Sequence, residues 1–371
     1  MKLAIQNILH DRIRFLVATA GIAFAAFLMT FQGSLLNGFL TAASKVVDAT
    51  DSDLWITARG VPCFDFSARL GRRFVEMARL SPGVASISRM SMGFMEFRKP
   101  GGLHQVVALI GADPNTGSRF PTPAIRGTRA MENDGVLIDA SSAALLKIPS
   151  FPWDTEINGR RARVVRQIDG FSSFLGSPYV FSSYDDAARY LGFGPEDAMY
   201  VLVRLKTGFD PSVVKGVLQS RMPDVQVWTK AEFSSEARSY WLQQTGAGGT
   251  VLTSAVLGFI IGLLIVSQTI YSATMENIEE FATLKALGAT RAYIAKVVLT
   301  QALTCGVVGC ALAALIAGPA IHAARAAVSW ILMPSWLPFA MFVPGLFMCA
   351  AASLISARKA VVVDPAKVFR V

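Results

Sequence analysis

The sequence is short of charge. Lys, Arg, Asp and Glu make up 16% of its 371 residues while 53% are hydrophobic; an average soluble domain carries roughly a quarter charged residues. With a mean hydropathy of +0.45, that balance excludes an entirely soluble protein. Histidine is scarcer still, with His10, His104 and His322 scattered along the chain. They form no His-Glu-x-x-His zinc motif, and a serine triad would have to rely on His104 alone. No Gly-x-x-x-x-Gly-Lys-Ser/Thr run is present, so the chain has no phosphate-cradling loop of its own. Cysteine supplies no disulfide framework: Cys305, Cys310 and Cys349 fall in apolar stretches, and Cys63 stands apart. These absences predict a non-catalytic chain with no metal or cofactor. No zinc-finger, RNP or basic-helix pattern accompanies the net charge of +9, which argues against nucleic acid.

What is present is a concentration of apolar residues. Four stretches lack Lys, Arg, Asp and Glu altogether: residues 15–44, 239–275, 297–324 and 326–357. A bilayer core needs about 20 mostly apolar residues in a helix, so each can hold one span. The expected organisation is an amphipathic helix over 1–14, a first span with an outer extension over 15–44, and spans over 250–274, 297–319 and 338–357. Between them lie a soluble domain over 45–228, a stalk helix and linker over 229–249, a loop over 275–296, a turn over 320–337 and a tail over 358–371. The pair of prolines in Met333-Pro-Ser-Trp-Leu-Pro338 suits a turn better than a helix inside the membrane. The first span is too long for the core of a cleaved signal and lacks a clear cleavage site. His322 falls near a span end, where an ionisable group is a functional candidate by default.

Charge sets the expected orientation. The N-terminal segment is net +2 and the C-terminal tail net +3, whereas the link between spans three and four has only Arg325. The positive-inside rule then puts both termini and the 275–296 loop in the cytoplasm, and the soluble domain outside. Trp241, Trp330 and Trp336 all fall at the outer interface on this topology. Much of the +9 therefore records sidedness. Ile5, Ile8, Leu9 and Ile13 share one face of the N-terminal helix, which fits the inner membrane surface.

The soluble segment alternates strand-like and helix-like patterns, giving an α+β domain. Strands are expected at 53–57, 84–98, 105–110, 135–139, 160–168, 179–182, 199–206 and 225–228, and helices at 66–80, 141–146, 184–191 and 211–222. Thr229-Lys-Ala-Glu232 is a capping box that starts the stalk helix through Tyr240 and Trp241, and Gly246-Ala-Gly-Gly249 is expected to break it. Gly258 and Gly262 give the second span a small-xxx-small packing motif, a weak pointer to self-association.

The loop between spans two and three carries the most information. Ile278, Phe281, Leu284 and Leu287 recur at helical spacing, Gly288 fits the position that ends a helix, and Thr290 suits the cap of the next. Glu276, Glu279 and Glu280 make its start acidic, which favours a protein partner over anionic lipid. A short helix of this kind is shaped to enter a groove on a soluble partner.

The run Glu280-Phe-Ala-Thr-Leu-Lys-Ala-Leu-Gly-Ala289 resembles the coupling-helix signature of ABC-exporter permeases of the MacB/FtsX/lipoprotein-release superfamily. Arg14-Phe-Leu-Val-Ala-Thr-Ala-Gly-Ile-Ala-Phe24, Tyr240-Trp-Leu with Thr245-Gly-Ala-Gly, Gln268-Thr-Ile-Tyr-Ser272 and Asp364-Pro-Ala366 are similar to its DevC branch. The likeness is weakest across residues 113–180. It implies a four-helix inner-membrane permease with a MacB-like periplasmic domain between helices one and two. It also implies a homodimer served by two copies of a cytoplasmic ABC ATPase, which would bind the ATP and Mg. Glu276, Glu279, Glu280, Phe281, Thr283, Leu284, Lys285, Leu287 and Gly288 would form the ATPase-coupling helix. Motion would pass by mechanotransmission along the stalk, marked by Thr229, Glu232, Tyr240 and Trp241, to the outer domain. DevC-type systems further imply a membrane-fusion adaptor and an outer-membrane channel, and export of a lipid or other hydrophobic substrate. Two other readings stay open: an FtsX-like regulator of a cell-wall hydrolase that transports nothing, and a transmembrane sensor. The sensor lacks room for a cytoplasmic output module.

Overall fold

A computed structural model of the chain describes residues 12–113, 134–276 and 278–362. The expected amphipathic face of Ile5, Ile8 and Leu9, residues 114–133 and the Asp364-Pro-Ala tail lie outside the described residues. The chain divides into two compact units, one comprising Phe39–Gly248 and the other the segments on either side of it. Helix α1 (Arg12–Asp48) is a single helix of 37 residues, about 55 Å at the α-helical rise. It continues past the expected end at residue 44 because Val46 and Val47 still have a core to enter, beside Trp55, Phe171 and Phe233.

The Phe39–Gly248 unit contains a nine-stranded sheet. Its elements in chain order are β1 (Leu54–Ala58), α2 (Arg72–Arg79), β2 (Val84–Arg98), β3 (His104–Ala112), β4 (Gly135–Asp139), α3 (Ala140–Leu146), β5 (Trp153–Ile157) and β6 (Arg160–Ile168). There follow β7 (Tyr179–Ser183), α4 (Tyr184–Leu191), β8 (Tyr200–Leu205), α5 (Pro211–Arg221), β9 (Val225–Thr229) and α6 (Lys230–Ser239). The 15-residue β2 belongs to two layers. Its first half joins β8, β1 and β9 in an all-antiparallel sheet of order β2-β8-β1-β9, backed by α2 and α5. That order and connection make a split βαβ, ferredoxin-like module. The second half of β2 pairs with β3, then β7, β4, β6 and β5 follow, and Phe97↔Ile157 returns the ring to β2. This six-stranded ring is therefore inserted between the second and third strands of the ferredoxin-like module.

Burial on both faces explains the composition of these strands. On β1, Leu54 and Ile56 enter the core under α2 and α5, while Trp55 enters the opposite core with Phe64, Tyr200 and Phe233. Val107 and Leu109 of β3 fill the ring, and Ala108 and Ile110 face the other way. Helix starts follow local chemistry: Asp139, Ser183 and Asp210 cap α3, α4 and α5, and Pro211 pre-sets the first turn of α5.

Two local expectations are corrected here. The helix expected over 66–80 is confined to Arg72–Arg79, because Phe64 and Asp65 turn into the core and Leu70 bridges Ala198 instead. Strand β5 was not expected: Trp-Asp-Thr-Glu-Ile is short and half polar, and only its Thr155 and Ile157 are buried.

The other unit holds helices α7 (Gly246–Glu276), α8 (Ile278–Ala286), α9 (Arg291–Ala324), α10 (Leu337–Ala340) and α11 (Phe342–Val362), with the first part of α1. Among the described residues, four stretches are long and apolar enough to cross a membrane: Phe15–Asp48, Gly246–Glu276, Arg291–Ala324 and Leu337–Leu354. Helix α9 carries on through Pro319 to Ala324, five residues beyond the expected end. Large apolar side chains such as Leu16, Phe24, Leu264, Leu315, Val343 and Phe347 stand exposed on these helices, as a lipid-facing surface requires.

Small residues bring the helices together. A methyl at Gly309 of α9 would stand 2.8 Å from Cγ2 of Ile22 on α1, and one at Gly345 of α11 would stand 2.8 Å from Sγ of Cys310 on α9. Gly258 and Gly262 are packing residues of this kind. Their open sides are filled by Gln32 and by Ala25 and Met348 of the same chain, so this motif is occupied without self-association.

Candidate coupling site

The loop after α7 is built around α8. Phe281 is 1% exposed and packs in a cluster with Ile294, Val297 and Val298 of α9 and Ala357 of α11, while Ile278 and Leu284 lie half-buried at its rim. The helix stops at a Schellman turn: Ala289 N–H donates to Leu284 O at 3.0 Å, Gly288 N–H donates to Lys285 O at 3.1 Å, and Gly288 has φ +95°. Two residues later the Thr290 hydroxyl accepts from Tyr293 N–H at 3.3 Å and starts α9. Glu279 and Glu280 sit in the first turn of α8 and Lys285 in its last, which matches the helix dipole.

One member of the expected apolar stripe turns away. Leu287 is 80% exposed. Successive steps of three residues rotate about 60° backwards on a helix, so Leu287 points about 120° from Phe281. The exposed surface around α8 is therefore not the stripe of Ile278, Phe281 and Leu284, which docks on the chain's own α9 and α11. It consists of the exposed Glu276, Glu279, Glu280 and Thr283, with Leu287 and Gly288 at the end. Beside it, a cleft of about 510 Å³ opens between α1 and α7, lined by Ile13 and Val17 on one wall and Gln268, Ser272 and Glu276 on the other.

The stalk residues fall at the other end of α7. The expected capping box is present: Glu232 N–H donates to Thr229 Oγ1 at 3.2 Å, and Thr229 N–H donates to Glu232 Oε2 at 2.7 Å. After α6 the chain makes a π turn over Tyr240–Gln244. The helix break expected at Gly246-Ala-Gly-Gly249 lies instead at Thr245, whose backbone is extended, and the glycines form the first turn of α7. Thr245 Oγ1 donates to Trp241 O at 2.6 Å and accepts from Gly248 N–H at 3.2 Å. Gly248 is required there because Trp241 O occupies the place a Cβ would take.

Trp241 leads to a group that no sequence pattern singles out. Its Nε1–H donates to Asp65 Oδ2 at 2.9 Å, and Tyr179 OH donates to Oδ1 at 3.4 Å. Burial pushes the Asp65 carboxyl up to about 6, against the two hydrogen bonds that favour its anion. Cys63, 4.0 Å away, is pushed up to about 12 by the same burial and by the charge of Asp65. Asp65 lies in a non-repetitive stretch, so no periodicity marks it. Elsewhere His104 is an exposed strand residue 3.5 Å from Glu96, and His322 is exposed. Among the described residues no cluster of His, Cys, Asp and Glu could hold a metal ion.

Comparison with known proteins adds a family. Residues 252–365, which contain α8 and most of the membrane unit, match the family described as FtsX-like permease C-terminal. An uncharacterized ABC transporter permease of Mycobacterium tuberculosis, strain H37Rv, is 26% identical over 348 residues, covering 90% of this chain and 89% of the relative. Among solved structures, the periplasmic region of MacB from Actinobacillus actinomycetemcomitans is 11% identical, covers 50% of this chain and 92% of that one, and has a TM-score of 0.37. The extracellular domain of the noncanonic ABC-type transporter YknZ from Gram-positive bacteria is 13% identical, covers 48% and 99%, and has a TM-score of 0.33. By sequence, residues 252–365 are similar to the FtsX-like permease C-terminal family, and nearly the whole chain is similar to an ABC transporter permease.

Proposed function

We propose that this chain is the transmembrane subunit of an ABC exporter and that α8 is where a separate cytoplasmic ATPase grips it. The observation that supports this best is the construction of α8. Its apolar stripe is fastened to α9 and α11, a Schellman turn ends it, and its acidic face with Leu287 is left outward. A helix mounted in this way moves its neighbours when it is moved. The outward face suits a partner groove with basic walls and an apolar end, since it presents Glu276, Glu279 and Glu280 and then Leu287. ATP and Mg belong to the partner, and this subunit contributes no catalytic group.

In this reading both termini and α8 lie in the cytoplasm, the Phe39–Gly248 unit lies in the periplasm, and two copies of the chain work with two of the ATPase. The branch similar to DevC adds a membrane-fusion adaptor and an outer-membrane channel, with a lipid or other hydrophobic cargo handled outside the inner membrane. The spans carry almost no ionisable residues to line a polar pathway, which favours mechanical work on the outer unit.

The test is co-purification of the full chain with its candidate ABC ATPase. Glu280→Lys and Leu287→Asp should each abolish the complex while leaving the permease folded, because both side chains are exposed. Undiminished ATPase binding by both variants would overturn the assignment of α8. Reporter fusions at about residue 130 and after Val371 should behave as periplasmic and cytoplasmic respectively, and the reverse pattern would refute the topology.

A further inference from the structure

Helix α6 is fastened in the outer unit by the buried Phe233 and Ala237; the connector that follows it to the second span is the π turn and Thr245, and two polar contacts lie at its start. One is Arg238, whose Nη2 lies 2.9 Å from Asp48 Oδ2 and whose Nε donates to Ser44 Oγ at 2.8 Å. Arg238 and Asp48 are 45% and 38% exposed, and ion pairs in that setting hold weakly. The other is Trp241, the one buried residue of the π turn. Its ring stacks on Phe66 at 6.1 Å and meets Phe174 edge-on at 4.9 Å, and its indole N–H ends on Asp65. Single π turns recur at functional sites in helices, where the extra residue is held by something outside the helix.

The groups facing Asp65 are few. Cys63 approaches from its own segment, Tyr179 from β7 and Trp241 from the π turn. Tyr200 of β8, whose hydroxyl donates to Phe64 O at 2.7 Å, completes the surroundings. Burial holds both tyrosines neutral, and among the described residues no Lys, Arg or His forms an ion pair with Asp65. An anion in this position has hydrogen bonds but no counter-charge, and a neutral acid does not need one.

We propose that Asp65 is a proton-tightened latch, its buried carboxyl holding the π turn on the outer unit through Trp241, firmly when protonated and loosely when ionised. The direction follows from linkage. A carboxyl whose value is about 6 when buried and 3.8 when freed binds its proton better in the closed state. Protonation therefore favours closure, and the latch weakens as pH rises from about 4 through about 6. At neutral pH the connector is then free to follow α7, and acidification of the outer compartment would fasten it. Asp65 acts here as a positioning residue. The use of the motion rests on the permease reading, but the latch can be measured without any ATPase.

Hydrogen exchange on the full-length chain in lipid nanodiscs tests this. After correction for intrinsic rates, the open fraction of amides 240–248 should rise roughly tenfold or more between about pH 5 and about pH 7.5, with β1 unchanged. Asp65→Asn, which keeps the shape and stays neutral, should give a low and pH-independent open fraction. Trp241→Phe, which keeps a ring and loses the donor, should raise it at about pH 5. A flat wild-type profile, or an Asp65→Asn profile that follows the wild type, would overturn the latch. A rise shared equally by β1 would also overturn it, because it would mean general unfolding. If Asp65→Asn does not fold, the wild-type profile and Trp241→Phe still decide the matter. Loss of ATPase binding in the Glu280 and Leu287 variants is independent of all these outcomes.

Discussion

Phe281 and Leu287 lie six residues apart in one loop, and the structure gives them opposite duties. Phe281 is 1% exposed against Ile294, Val297, Val298 and Ala357. Phe281→Ala removes the side chain that fastens α8 to the bundle. Phenylalanine-to-alanine changes in a closed core cost about 3–5 kcal/mol, from lost burial and the cavity left behind. At the edge of a membrane bundle, with Ile278 and Leu284 able to lean in, about 2–3 kcal/mol is the fair expectation. Leu287 is 80% exposed, so Leu287→Ala should change stability by no more than about 0.5 kcal/mol. On proposed function the order reverses. Leu287→Ala removes a contact to the ATPase, whereas Phe281→Ala leaves that contact in place on a loosened mount. The assay has two parts on the same nanodisc samples, hydrogen exchange of residues 278–286 and the affinity of the ATPase. Phe281→Ala should speed exchange by roughly 30-fold to 150-fold, the factor for about 2–3 kcal/mol of local opening, and Leu287→Ala should leave it unchanged. The reasoning fails if the two variants speed exchange equally. It also fails if Phe281→Ala leaves α8 as protected as the wild type.

Two further predictions concern the two units separately. Asp139 is 1% exposed; its Oδ1 accepts from Ser141 N–H at 3.0 Å and its Oδ2 from Phe171 N–H at 2.8 Å. Asp139→Ala therefore removes a helix cap and strands a buried amide, and thermal unfolding of the outer unit should show a loss of about 2–4 kcal/mol. In the membrane unit, Gly309→Val would place a branched side chain where even a methyl comes 2.8 Å from Ile22, against a backbone nitrogen at 3.1 Å. Overpacking of this kind costs about 1–3 kcal/mol, read as a lower melting temperature in detergent. Gly318→Ala, where only the tip of Met333 comes within 4.0 Å, should be silent.

The parts of the molecule legible in its sequence are those whose physics is local or periodic. Spans follow from runs without charge, strand β2 from its alternation, the capping box from Thr229 and Glu232, and the stop of α8 from Gly288. The rest depends on which partner a face meets. Leu287 looks like a member of the Ile278 stripe until the drift of a 3.6-residue helix is followed for nine residues and the stripe is seen to end on α9 and α11. Gly246 and Gly249 look like a helix break, but glycine is also the only residue that lets Trp241 O approach at position 248, and the break moves to Thr245. Asp65 was illegible for a different reason. Its importance comes from Tyr179 and Trp241, residues 114 and 176 positions away, and nothing in its own neighbourhood records them. The closed ring of strands was hidden as well, since its insertion between two halves of a ferredoxin-like module depends on one long strand serving both layers.

In the proposed mechanism the chain transmits work through stiff elements and the breaks between them, so the positions of those breaks matter more than any single contact. Two such breaks flank the segment that holds α7 and α8. One is the Schellman turn at Gly288, which fixes α8 against α9 and gives the input a short, rigid lever. The other is Thr245, where α7 begins and where one hydroxyl bonds both to the π turn behind it and to the helix ahead. Between them, α7 is the least enclosed span, with 17% of its apolar window buried against 44% for the first span and 33% for each of the other two. Fewer packed neighbours oppose its displacement, whereas α9 and α11 share a tight glycine and cysteine seam and move less readily. In the proposed mechanism, motion entering at α8 reaches α9 and α11 through Phe281 and reaches α7 through the chain itself. On the proposed latch, what it does to the outer unit is decided at the π turn, where Trp241 donates to the buried Asp65 carboxyl.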